Sequence, residues 1–314
     1  MSFIKRGFPK NNKELLKMNL LLELEEEYKK GSISKEEYIK RMHEIHLILG
    51  NYSEFIKNKN INSISIMNDY VAIETRKGIK LICNLEDERA TPLEVLNFGN
   101  YESEEIKMIE TFLKADSVIL DIGANVGWYS MHLAISVPRG KVIAFEPIPK
   151  IFDYLKRNIA LNNIKNIETY NFGLSEKKEV VEFYFDPKLT GATSLRNLHE
   201  NREKIKIECN VEKMDDIIPR ITTRIDFIKC DVEGAEILVV KGGLEVLKKH
   251  KPVLFLEMLR KWSAKFDYHP NDIILILKEI GYKCYCAKGE KLVEVESVNE
   301  DTLETNFFFI HGVK

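Results

Sequence analysis

The sequence predicts an α/β fold: a doubly wound, mainly parallel sheet of seven strands, preceded by an N-terminal helical hairpin and a short β lead-in. Three observations carry this. Strand-like and helix-like patterns alternate regularly from residue 117 onward. The runs VILDI, VIAF, IDFIK and VLFL are apolar almost throughout, as strands covered on both faces are. The first of them ends in an acid, then a glycine turn, then a helical pattern, the junction at which such sheets open their crevice.

Residues 12–50 predict two helices. Leu15, Met18 and Leu22 share a face, as do Leu21, Leu24 and Tyr28. A break follows at Gly31-Ser32. Ser34 with Glu37 forms a capping-box pattern, Tyr38, Met42, Ile45 and Leu49 recur at helical spacing, and Gly50 is the expected stop. The apolar stripe must pack on the main domain or on a second copy, so a homodimer through these helices is one expectation. In residues 61–85, Ile64, Ile66, Val71, Ile73, Ile79, Leu81 and Ile82, with Gly78 at a turn, predict two or three short strands. Residues 102–114 predict a helix with Ile106, Ile109 and Phe112 or Leu113 inward. The chain thus divides into a hairpin (1–60), a lead-in (61–115) and the main domain (116–314).

In the main domain, strands are expected at 117–122, 141–145, 167–171, 225–230 and 253–256. Helices are expected at 126–137, 150–162, 234–249 and 271–280. Residues 282–286 and 306–310 suit a closing hairpin whose last strand runs antiparallel, with an irregular, partly β segment between them. Residues 173–212 interrupt the alternation with EVVEFYF and KIECNV around a polar segment, an insertion expected over the carboxyl edge of the sheet.

With 44% hydrophobic and 31% charged residues, a sizeable core is expected and wholesale disorder is not. Lys and Arg number 47 against 49 Asp and Glu, a net charge of -2, so no basic excess points to nucleic acid. The five cysteines (Cys83, Cys209, Cys230, Cys284, Cys286) form no C-x-x-C pair, which disfavours a zinc site or a disulfide framework. The N-terminus shows no apolar segment with a cleavage site, and no stretch nears the roughly 18 apolar residues of a membrane span. A soluble, reduced, cytoplasmic protein is expected.

The most informative stretch is Asp121-Ile122-Gly123-Ala124-Asn125-Val126-Gly127-Trp128. A dinucleotide fingerprint starting at Gly123 needs glycine at 125 and 128, where Asn125 and Trp128 stand. The pattern is D-x-G-x-x-x-G. Glu146 ends the second strand, where an acid can accept hydrogen bonds from both hydroxyls of a ribose. Phe172 and Gly173 follow the third strand and suit the floor or edge of a base. The fourth strand leads to Asp231, Glu233 and Glu236, and the fifth to Glu257. Asp231 should face the crevice. The helix dipole accounts for Glu236.

Taken together, these residues resemble the FkbM family of methyltransferases. VILDIGANVGWYS, VIAFEPIP, NIALNNIKNIETYNFGLS, IDFIKCDVEGAE and KPVLFLE match its motifs in order and spacing. D-V-E-G-A-E is the most family-specific, whereas D-x-G-x-x-x-G is similar to the first motif of class I S-adenosylmethionine-dependent methyltransferases at large. Coverage runs from about residue 64 to 310, with Tyr101-Glu102 in the upstream segment; the hairpin lies outside it. The resemblance implies a Rossmann-like class I methyltransferase fold, S-adenosylmethionine contacts at Asp121, Gly123, Asn125, Gly127 and Glu146, and a catalytic-edge role for Asp231; by position, Ala124, Phe172, Gly173 and Asp231 are further candidate cofactor contacts. It also implies O-methylation, often of sugar hydroxyls in glycans or natural products.

Aligning acceptor oxygen, methyl carbon and sulfur is work that proximity can largely supply. A sugar hydroxyl is a poor nucleophile at neutral pH, so a base helps, and Asp231, Glu233 and Glu257 are the candidates. Asp231 and Glu257 can also share Mg²⁺ or Ca²⁺, but two acids without a third ligand do not make a metal site, so no metal ligand is assigned. His132 is expected to be packed or on the surface, and His269 to be solvated. Trp262, Phe266 and Tyr268 can stack on a sugar or cap the sheet edge. Residues 190–194 are a candidate lid. An N/D-P-P-Y segment, which marks base methylation, is replaced by Asp231-Val232-Glu233-Gly234. The expected partner is a small-molecule or glycan acceptor, not nucleic acid; a protein or RNA acceptor, or a non-catalytic cofactor-binding module, is the alternative.

Overall fold

The computed structural model describes residues 19–199 and 201–312. They form two compact units, the first ending at Asn58 and the second beginning at Lys59.

The first unit holds α1 (Leu20–Lys29) and α2 (Lys35–Ile56). Ser34 caps α2, its Oγ accepting from the Glu37 amide at 3.1 Å. Tyr28 and Tyr38 stack at 4.8 Å, and Arg41 pairs with Glu27 at 2.7 Å, which ties the helices together. The expected stop at Gly50 does not occur. Gly50 is not in a left-handed conformation, and the helix continues through it to Ile56. Leu15 and Met18, expected on one face, lie outside the described residues. Ile39, Leu47, Ile48, Leu49 and Phe55 are exposed.

The second unit opens with β1 (Ile61–Ile66), β2 (Val71–Thr75) and β3 (Lys80–Ile82), an antiparallel sheet, followed by α3 (Thr91–Phe98) and α4 (Ser103–Glu110). Then β4 (Val118–Ile122), α5 (Trp128–Ser136), β5 (Lys141–Phe145), α6 (Pro149–Leu161) and β6 (Ile167–Tyr170) alternate. After an insertion of β7 (Gly173–Ser175), β8 (Glu179–Phe185) and β9 (Ile205–Lys213) come α7 (Met214–Ile221), β10 (Phe227–Cys230), α8 (Glu236–Gly242), α9 (Leu244–His250) and β11 (Val253–Glu257). The chain closes with α10 (Arg260–Ser263), α11 (Pro270–Glu279), β12 (Tyr282–Lys288), β13 (Lys291–Glu294) and β14 (Asn306–His311).

The main sheet has eight strands, not the expected seven, in the order β13-β12-β14-β11-β10-β4-β5-β6. The extra edge strand is β13, folded back on β12 beyond Gly289 with Ala287 opposite Leu292. Its four residues are mostly exposed, so its hydrophobic signal is weak. Strands β4, β5, β6, β10 and β11 are parallel, and β14 runs antiparallel between β11 and β12. The chain leaves β4 towards β5 on one side and later returns as β10 on the other. A crevice opens at the carboxyl ends of these strands. Leu120, Ile122, Ile143, Phe145, Leu254, Leu256, Phe307 and Phe309 are buried within the core that the sheet shares with α7, α8, α9 and α11.

The single helix expected over 234–249 is two, broken at Gly242-Gly243. A Cβ at Gly242 would lie 1.9 Å from the Ser175 carbonyl oxygen, so only glycine allows β7 to pass. The insertion forms its own sheet, ordered β7-β9-β8. Its loop is pinned at both ends of the candidate lid: Thr190 donates to Asp87 Oδ2 through amide and hydroxyl, and Ser194 Oγ donates to the Glu233 carbonyl at 2.7 Å. Among the described residues, no helix is long and apolar enough to cross a membrane.

Candidate active site

The glycine turn is held from both sides. The amides of Gly123 and Ala124 both donate to the Phe145 carbonyl, at 3.0 and 2.9 Å. Gly123 adopts φ 77°, and a Cβ there would lie 1.9 Å from the Asp231 carbonyl oxygen. The turn therefore lies directly against the end of β10. Asn125, at φ 50°, donates its amide to Glu146 Oε2 at 3.0 Å, and Ile148 donates to Oε1 at 2.9 Å. Burial pushes the Glu146 carboxyl up to about 7, against those two bonds. A carboxylate offers about four lone-pair sites, so Glu146 keeps capacity for a ligand.

Lys229 is a buried residue of the pocket that the sequence pattern does not single out. It lies on β10 directly opposite Asp121 on β4, with 3% of its side chain exposed. Its Nζ donates to the Gly123 carbonyl at 2.9 Å and stands 3.5 Å from Asp121 Oδ1, 3.6 Å from Asp231 Oδ2 and 5.2 Å from the Tyr129 ring centroid. Burial works against its charge, but Asp231, Asp121 and Glu102 outweigh it and hold Lys229 protonated. The available signal was a lysine inside a strand otherwise apolar and covered on both faces.

Asp231, Glu233 and Glu257 offer oxygens all within 4.8 Å of one another. Three like charges at that spacing must share protons or a cation. Burial, then Asp231, Glu233 and Glu236, push Glu257 up to about 11, so at neutral pH it is protonated and donates to Asp231. Protonated, Glu257 is a donor in the ligand-free protein. Glu233, in a left-handed conformation at φ 53°, is also held high by burial and by Asp231 and Glu236. Asp231 alone has an ammonium beside it. A divalent cation would compete with these protons for the three carboxylates.

Glu236 does more than meet a helix dipole. Its Oε1 accepts from the amides of Val232 and Gly234 at 3.0 and 3.2 Å, and Oε2 accepts from the Tyr268 hydroxyl at 3.2 Å. It thereby shapes the loop that carries Asp231 and Glu233. Glu102 enters from the lead-in, at φ 46°, and bonds the Tyr129 hydroxyl. Burial and Asp231 push it up to about 7.

A single open pocket joins these parts. Gly123, Ala124, Asn125, Glu146, Gly173, Asp231 and Glu233 line it. Three expected ligand contacts do not. Asp121 is fully buried beneath the turn, accepting from Ser130 and facing Lys229. Gly127 starts α5 in a left-handed conformation, set back from the pocket. Phe172 packs on Phe145 and Tyr170 at 5.5 and 5.6 Å. Tyr101, Glu102, Trp128, Tyr129, Thr190, Gly191 and Leu195 line it instead, so the lead-in and the lid both reach it. His132 is buried against Trp128, and His269 caps α11. Trp262 is buried and leaves no face for a sugar.

Glu146 and Glu236 give the fold a pH dependence. Burial raises both from 4.5 to about 7. A raised acid contributes its full stability below its ordinary value and loses it as pH rises through the folded value. The melting temperature of the ligand-free protein should therefore fall between about pH 5 and about pH 8. Glu236→Gln should flatten that decline in a calorimetric melting series. A melting temperature that climbs over this range contradicts the assignment.

Fold and pocket together define a doubly wound α/β protein with a ligand crevice at its switch point, a glycine turn on one wall and clustered carboxylates on the other. The chain belongs to the FkbM methyltransferase family: the methyltransferase FkbM domain matches residues 121–284. It is similar to methyltransferase sdnD of Sordaria araneosa, at 29% identity over 159 residues, 41% of this chain and 61% of that one. It is similar also to hexuronic acid methyltransferase AglP of Haloferax volcanii, at 24% over 217 residues (69% and 80%), and to 2-O-methyltransferase NoeI of Sinorhizobium fredii, at 26% over 157 residues (46% and 64%). The chain spans 61% and 58% of the length of the first two curated relatives it matches.

Proposed function

We propose that the chain is an S-adenosylmethionine-dependent methyltransferase acting on a hydroxyl of a sugar, glycan or natural-product acceptor. The observation that carries this reading is the pocket that joins the glycine turn to Asp231. Two relatives, one named for a hexuronic acid and one for 2-O-methylation, support a carbohydrate hydroxyl.

The residues present fit the cofactor. Glu146 has lone pairs left for ribose hydroxyls, and the backbone of Gly123, Ala124 and Gly173 lines the pocket without bulky side chains. Glu102, Asp231 and Glu233 line the pocket, and a cationic ligand there would favour their ionised forms. When bound, the cofactor supplies an activated methyl group on a positively charged sulfur. Asp231 would accept the proton that the acceptor hydroxyl gives up on methylation, while the bond electrons of the transferred methyl would leave with the cofactor as a neutral thioether. Lys229 and the Glu257 proton hold Asp231 in place and stabilise its charge. The segment from Thr190 to Leu195 covers the pocket and excludes water from the reacting groups.

Calorimetric titration with S-adenosylmethionine, followed by mass spectrometry of candidate carbohydrates for a gain of one methylene, tests the reading. Saturable binding and a methylated product are expected. Binding of NAD in its place would sink the proposal. Turnover on a protein or RNA and on no carbohydrate would move the acceptor to the macromolecular class. Activity that survives EDTA leaves the acid edge to protons; loss reversed by Mg²⁺ places a cation there.

A further inference from the structure

The inner wall of the pocket is acidic, but the segment beside its lid is basic. Arg196, His199 and Lys204 come from the loop between β8 and β9, and Lys261 comes from α10 after β11. Two of these cations rest on aromatic rings. The Arg196 guanidinium is 5.6 Å from the Phe266 centroid, and Lys261 Nζ is 4.2 Å from that of Trp262. His199 meets Trp262 edge-on at 5.2 Å. This platform touches the acid loop, because a Cβ at Gly234 would lie 2.9 Å from the Phe266 ring. Arg196 follows Leu195, which lines the pocket, and Phe266 lies against Gly234, the neighbour of the pocket residue Glu233.

Arg202 nearby pairs with Asp186 and Glu88 at 2.6 and 3.3 Å. Among the described residues, Arg196, Lys204 and Lys261 form no direct ion pair; Asp186 and Glu233 act on Lys204, and Glu233 on Lys261, only at longer range. The Lys204 Nζ atom is shut off from water and has no hydrogen-bond partner. Burial pulls the Lys204 ammonium below its ordinary range, a cost that a bound anion would offset. Burial first, then Lys204, Lys261 and Arg202, hold the His199 imidazole below its ordinary range, so the field at this spot is positive.

We propose that Arg196, Lys204 and Lys261, with His199, form an oxyanion subsite beside the pocket, for an acceptor that carries a phosphate, diphosphate or carboxylate besides the hydroxyl to be methylated. The subsite rests on the methyl-transfer reading for what the inner pocket does, and on its own charges for the anion. The basic cluster attracts an oxyanion, which the carboxyls of the inner wall do not. An acceptor with both groups is therefore oriented with its anion at the platform and its hydroxyl towards Asp231.

The test is titration calorimetry of the full chain at low ionic strength with two probes, inorganic pyrophosphate and glucuronate. Wild type should bind at least one of them at roughly millimolar strength or tighter, with affinity falling as salt rises. The paired change Arg196→Gln with Lys261→Gln removes two exposed charges and should weaken binding about tenfold or more. Lys204→Gln should weaken it as well, and Lys291→Gln on β13 should not. Pyrophosphate binding that depends on these residues assigns the anion to a phosphorylated acceptor, and glucuronate binding assigns it to a uronic acid. Absence of binding for both probes, or binding indifferent to the paired change, overturns the subsite. S-adenosylmethionine titrated into the same preparation keeps the two readings apart. A chain that binds the cofactor and no oxyanion loses only the subsite, and one that binds the oxyanion and no cofactor loses the methyl-transfer reading.

Discussion

Asp231→Asn is expected to lower turnover at saturating acceptor by roughly 10²–10⁴-fold, the usual contribution of a positioned base. Asparagine keeps the shape and the amide bond from residue 231 to Ile122 O, at 3.1 Å in the native chain, so the edge of β10 stays in place. What disappears is the carboxylate that stands 3.6 Å from Lys229 Nζ. Glu257→Gln is the matched comparison. Glutamine still offers an N–H where the protonated Glu257 carboxyl donates to Asp231. Its turnover should drop far less, by under about tenfold. Full activity in Asp231→Asn together with collapse in Glu257→Gln would transfer the base to β11.

Gly123→Ala should destabilise the fold more than any other single methyl addition in the pocket. The new Cβ would sit 1.9 Å from the Asp231 carbonyl oxygen, which is backbone and cannot swing aside. The residue also adopts φ 77°, which costs an L-residue roughly 1–2 kcal/mol. Overpacking adds about 1–3 kcal/mol. The sum, about 2–5 kcal/mol, corresponds to a fall of roughly 10 °C in melting temperature for a domain of this size. Two hydrogen bonds to the Phe145 carbonyl hold the turn down, so relief by lifting it would break both. Gly191→Ala is the control. Nothing lies within 4 Å of a Cβ there and its φ is not left-handed, so its melting point should move by a degree or two at most. Equal melting points for the two variants would show that the turn does not press on β10.

Both variants probe residues that chain order alone places on one edge. In a parallel sheet every strand delivers its last residue to the same side. Once the apolar runs ending at Ile122, Phe145, Cys230 and Glu257 were recognised as strands, Gly123, Glu146, Asp231 and Glu257 had to gather there. The break in the regular alternation likewise announced the insertion, whose Thr190, Gly191 and Leu195 reach the pocket. The break between α8 and α9 was not legible, because it is forced by the approach of Ser175, a residue remote in the chain. Nor was the fate of Phe172, decided by its packing on Phe145 and Tyr170.

Periodicity, glycine spacing and the order of the acids are local properties, and they were enough to specify the α/β layout, the crevice edge and the family. Ionisation is not local. Asp121 and Lys229 are apolar-strand residues until β4 and β10 pair and set them side by side in the dry interior. Glu257 is an ordinary carboxylate until burial beside Asp231 and Glu233 makes it hold a proton. Glu102 is a helix-start acid until the lead-in carries it to the pocket wall opposite its Tyr129 partner. Which acid carries the charge and which carries the proton depends on distances of a few ångströms across strands and on the exclusion of water, and those exist only in the folded chain.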